Sequence, residues 1–169
     1  MKIKKKALLY DISNLAYMIA DTGETGNHTL HRVRDICQDG NIDRVSRILG
    51  LAYSRILAAL SPLIISPELD PDIDYSVEVR DYEINFKDDN SLKYCPPPEI
   101  KLKIKETAHE YMVSLVLADW LGSTLPPAAD VWKEKALFHM QTLKDMADEV
   151  SSAAVESFTA GFRRKLSPF

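Results

Sequence analysis

Carboxylates at alternate positions in Asp70-Pro71-Asp72-Ile73-Asp74 have the spacing that opens a calcium loop, where successive oxygens converge on one hard cation. The match stops there. Tyr75 stands where the tight turn of such a loop needs glycine, and Asp81 stands where a bidentate glutamate closes the shell. The stretch therefore reads as a solvated acidic loop. His28 and His31 could share one helical turn, but no further cysteine, histidine or carboxylate completes a metal shell around them. His109-Glu110 lacks the second histidine, four residues on, of a zinc-protease helix. His139 falls on an apolar helical stripe and reads as a packed core histidine. Cys37 and Cys95 have no metal-ligand spacing and read as small buried apolar residues.

Nucleophile and phosphate chemistry find no better footing. Gly23-Glu24-Thr25-Gly26 lacks both the lysine and the preceding strand of a phosphate loop. Ser13, Ser46 and Ser114 lie inside helical patterns rather than on a nucleophile turn. The sequence thus carries no catalytic set, no metal site and no cofactor signature, and is expected to belong to a non-enzyme.

The elements around these residues are mainly helical. At 169 residues, with 46% apolar and 27% charged side chains, the chain fits one domain with a sizeable core. The lysine-rich start could open a signal peptide, but the apolar run after it is broken by Tyr10-Asp11 and Ser13-Asn14. No stretch approaches the length of a spanning helix, so a soluble protein made in a reducing cytoplasm is expected. A pI near 5.6 argues against a dedicated nucleic-acid binder.

Leu8, Ile12, Leu15, Ala16 and Ile19 predict an amphipathic helix over residues 5–20. Its basic first turn opposes the helix dipole, and the residues before it read as a solvated, fraying end that could also serve a partner. A short helix is predicted over 30–37. Asn41 or Asp43 can cap the next helix, where Val45, Ile48, Leu49, Ala52, Ile56, Ala59 and Leu60 form an inward stripe. Residues 66–98 then interrupt the helices with five of the nine prolines and nine carboxylates against three cations, a net charge of −6. Within them Tyr75, Val77 and Val79 alternate with polar residues, and Tyr82, Ile84 and Phe86 alternate in the opposite phase. A hairpin turning at Arg80-Asp81 would place all six on one side, with Val79 facing Tyr82; a bulge in one longer strand is the competing reading. The apolar side must rest on the chain's own helices or on a neighbour.

After Pro96-Pro97-Pro98, a helix from residue 99 turns apolar nearly all round and should be buried on several sides, ending at Gly122. Pro126-Pro127 start the last helix, whose stripe of Trp132, Ala136, His139, Met140, Leu143, Ala147, Val150, Ala154 and Phe158 stops before Gly161. At about 50 Å this helix is longer than a small core is wide. Part of it should project. The expected architecture is therefore mainly α, a helical bundle with a short β-hairpin or small antiparallel β insertion and a long C-terminal helix. Its parts are helices in 1–62, an acidic β arm in 66–98, a helical pair in 99–160 and a basic, aromatic tail in 161–169.

This layout, with the buried helix of residues 105–121 (Lys105-Glu106-Thr107-Ala108-His109-Glu110-Tyr111 and onward to Trp120-Leu121), then Pro126-Pro127 and a long helix, resembles the small head-to-tail adaptor, or connector, proteins of tailed bacteriophages. Residues 8–60 are similar to proteins of that kind in phages of gut Bacteroides-like bacteria. The resemblance covers most of the chain as layout rather than as a signature motif. It implies a non-catalytic virion protein of the neck, made in the host cytoplasm. Such a subunit would sit in a dodecameric homo-oligomeric ring, touching portal and tail or neck proteins, with DNA passing through its channel without specific binding. Net negative charge would keep phosphates off the lumen. The interface residues expected on this reading are Tyr75, Val77, Val79, Tyr82, Ile84 and Phe86 on the β arm, and Trp132, Phe158, Phe162, Arg163, Arg164 and Phe169 on the last helix and tail. The rival reading is a small intracellular helical binding or regulatory protein with an acidic interaction segment.

Overall fold

Leu8, Ile12, Ala16 and Ala20 recur every fourth residue and give α1 (Lys5–Asp21) a narrow inward stripe that is fully buried. The computed structural model describes residues 1–21, 28–65, 81–87 and 96–165, with side chains up to residue 153 apart from those of 28 and 29. After α1 come α2 (His28–Arg34), which runs into a 3-10 turn at Asp35–Cys37, and α3 (Ile42–Ala59). The single short helix expected over 30–37 is thus two pieces. Asn41 stands at the α3 N-cap position, but its side chain donates to Asp35 O at 2.8 Å instead of capping, which ties the incoming turn to the helix start. The stripe expected on α3 faces inward, with Val45, Leu49, Ala52 and Ile56 fully buried.

The N-terminal residues are not a fraying end. Lys2–Lys4 form β1, which pairs antiparallel with β2 (Asp81–Glu83) in the register Lys2↔Glu83, Ile3↔Tyr82, Lys4↔Asp81. Alternation explains the strand: Ile3 is buried while Lys2 and Lys4 stay in solvent, and Lys2 Nζ meets Glu83 Oε1 at 2.6 Å. Two further bonds continue the ladder, Met1 N to Ile84 O at 2.7 Å and Ile84 N to Met1 O at 2.8 Å. On the opposite flank Ile65 N donates to Asn85 O and Lys87 N donates to Leu63 O, around a bridge between Ile64 and Phe86. Residues 81–87 are therefore bonded on both sides by their own chain. Asp81 lies within a strand rather than in a turn, and the residue across from Tyr82 is Ile3; Val79 and Arg80 lie outside the described residues.

Pro98 opens α4 (Pro98–Thr124) and Pro126 opens α5 (Pro126–Lys165), both at positions where the missing N–H costs nothing. Only Leu125 separates the two helices, which pack along one another as a hairpin. α4 is the centre of the molecule, touching α1, α2, α3, α5 and β1. Burial on several sides is what its apolar circumference requires: Ile104, Ala108, Met112, Val116, Leu117 and Leu121 are all fully enclosed. Gly122 does not end it. The helix runs two residues further because the Ser123 and Thr124 hydroxyls fold back onto Trp120 O at 2.9 and 3.0 Å, and Pro126 then forces the break. α5 likewise continues through Gly161 to Lys165, a length of about 60 Å.

Candidate functional site

Of the residues singled out from sequence, Tyr82 and Ile84 are 1% and 0% exposed, enclosed by their own chain. Of the two supports open to them, own helices or a neighbour, they rest on the first. The Tyr82 ring lies 5.1 Å from that of Tyr53, whose hydroxyl donates to Glu83 O. Burial pushes the Tyr82 phenol up to about 12, and its hydroxyl has no hydrogen-bond partner among the described residues. Phe86 is half-buried, with the Lys101 ammonium 5.5 Å from its ring centre. Trp132 is half-buried under the Lys135 ammonium at 4.0 Å. Tyr75, Val77, Val79 and Phe169 lie outside the described residues, as do the side chains of Phe158, Phe162, Arg163 and Arg164.

The histidines do not assemble a reactive centre among the described residues. His109 Nε2 lies 2.7 Å from Asp11 Oδ2, a pair that pins α4 to α1 with no nucleophile beside it. His139 is held below the ordinary imidazole value by burial, against the opposing pull of Glu110 and with help from Lys135. Desolvation raises the Cys37 thiol, the reverse of what a reactive cysteine needs, and its Sγ donates to Leu9 O. No three His, Cys, Asp or Glu side chains gather among the described residues to hold a metal ion, and no described helix is long and apolar enough to cross a membrane.

Two concavities stand out among the described residues. One, about 400 Å³, is polar and lined by Arg32, Asp35, Asn41, Arg44, Trp120 and the two hydroxyls that end α4. Arg44 in this lining is engaged internally: it donates twice to Asp119 Oδ2, at 3.1 and 2.7 Å, while its guanidinium sits 5.4 Å from the Trp120 ring centre. The α3–α4 junction occupies that chemistry.

The other is a groove of about 640 Å³ where α3, α4 and α5 meet. Small side chains make it. Ala58 and Ala59 on α3, Ala118 on α4 and Ala136 on α5 leave the helices without filling side chains between them, and Tyr111, Leu115 and Met140 complete an apolar floor. Around that floor stand Arg55, Lys133 and Lys144, with no carboxylate among the described residues of the lining. Lys133 already meets Asp130 at 2.8 Å; Arg55 and Lys144 form no ion pair with a described residue. A cation-rimmed apolar trough repels metal ions and favours an apolar surface fringed by carboxylates. Leu137, at its lip, is 71% exposed.

Sequence periodicity missed this site because it is shared by three helices. The signal that could have found it is the row Lys133, Leu137, Met140, Lys144, which shares Met140 with the apolar stripe of α5 and otherwise runs beside it. Comparison with protein-family models, with curated proteins and with solved structures gives no match to this chain.

Proposed function

We propose that this chain is a non-catalytic assembly protein, one subunit of a ring that joins portal to tail as a head-to-tail adaptor. The observation that carries the reading is α5. It outlasts its partner α4 by 13 residues, about 20 Å, and bears Val131, Leu137 and Phe138 at 54%, 71% and 66% exposure. An elongated helix with unburied apolar side chains fits a surface completed by other subunits.

Co-expression with the portal protein encoded in the same genome tests this. The chain is expected to copurify with the portal and to appear as a ring against one of its faces in electron micrographs. A chain that neither binds the portal nor enters virions is instead the rival, a small helical binding or regulatory protein.

A further inference from the structure

We infer that the cation-rimmed groove receives the outer face of α5 from a second copy of this chain, an inference that rests on the ring reading above. Lys133, Leu137, Met140 and Lys144 belong to the groove. Val131, Glu134, Phe138, Gln141 and Asp145 follow at the spacing i, i+3, i+7, i+10, i+14 and form a second stripe, about a third of a turn further round the helix at 3.6 residues per turn. All five are exposed. Val131 and Phe138 supply an apolar pair one heptad apart, and Glu134 and Asp145 flank them with negative charge, Asp145 held by the Gln141 amide at 2.8 Å. The neighbouring cation, Lys135, is drawn aside over Trp132. One face of the helix is thus apolar with an acidic fringe, and the trough beside it is apolar with a basic one.

Charge decides how two copies can meet. Groove against groove would oppose Arg55, Lys133 and Lys144 to their own copies, and stripe against stripe would oppose Glu134 and Asp145 to theirs. Only groove against stripe brings opposite signs together. Because the two surfaces lie on one protomer and differ, every contact leaves a free groove at one end and a free stripe at the other. Such head-to-tail association closes into a ring when the rotation permits.

Two double variants, all at exposed positions, test the pairing: Arg55→Glu with Lys144→Glu in the groove, and Glu134→Lys with Asp145→Lys on the stripe. Unchanged circular dichroism and melting verify their folds, and sedimentation reads assembly with and without the portal. Each variant alone is expected to self-associate at least about a hundredfold more weakly than the parent chain, since like charges now face one another. An equimolar mixture is expected to regain parental assembly, because the acidic groove of one then matches the basic stripe of the other. Variants that assemble as the parent does, or a mixture that stays dissociated, overturn the pairing; portal-bound rings formed by the variants alone would do so while leaving the adaptor reading intact. Self-association by this pairing without portal binding removes the adaptor reading and keeps the inference. A parent chain that is monomeric under both conditions ends both, and a fatty carboxylate found in the groove by native mass spectrometry assigns it to a small amphiphile instead.

Discussion

Tyr82 condenses the chemistry of the small sheet into one side chain. Its ring fills the space between β2 and α3, while its hydroxyl sits buried with no hydrogen-bond partner among the described residues. An unpaired buried hydroxyl destabilises by about 1–3 kcal/mol, so Tyr82→Phe is expected to raise the melting temperature by about 2–4 °C, near 1 kcal/mol at this chain length. The same residue has an alkaline signature. Its folded-state value is raised to about 12 from an unfolded value of about 10, so the neutral phenol is favoured by the fold. That stabilisation is fully present below the unfolded value and is lost as pH rises through the folded one. The parent chain should therefore weaken across that alkaline window by an amount that Tyr82→Phe lacks; equal losses in both proteins would contradict the buried phenol. The sequence placed Tyr82 on the apolar side of a strand correctly. Which strand it would face was not readable, because Ile3 lies 79 positions away and local alternation carries no information about distant partners.

At the scale of elements, helical periodicity was the informative signal and glycine the misleading one. The stripes of α1, α3 and α4 face the core as their spacing predicted. Gly122 and Gly161 looked like terminators, yet glycine in a helix interior costs only about 1 kcal/mol. The long contact of α4 with α5 outweighs that for Gly122. β1 was missed for a different reason: three residues are too few for a period, and their strand character comes from β2. Its contribution is measurable. Ile3→Ala removes a fully enclosed side chain and should cost about 2–5 kcal/mol, lowering the denaturant midpoint with little change in slope. Lys2→Ala, which loses only the solvent-exposed pair with Glu83, should leave the midpoint almost where it was. If the two variants were equally mild, β1 would be an ornament on the helices rather than part of the core.

The molecule as a whole combines a core in which α4 is surrounded with a last helix 13 residues longer than α4. Val150 is the last buried residue described on α5. A chain ending at Ala153 is accordingly expected to keep the melting transition of the full chain; a collapse of that transition would place core packing beyond the truncation. The closed ladder between Met1 and Ile84 also bears on how the protein is born. These partners stand 83 positions apart, and a ribosome extending the chain at roughly 5–20 residues per second needs several seconds to cover that distance. Throughout that interval the strand carrying Ile3 waits without its mate, and α1 waits without α4, which is made later still. The first half of the chain therefore spends its earliest moments as helices with uncovered apolar stripes, a state in which nascent-chain chaperones have something to hold.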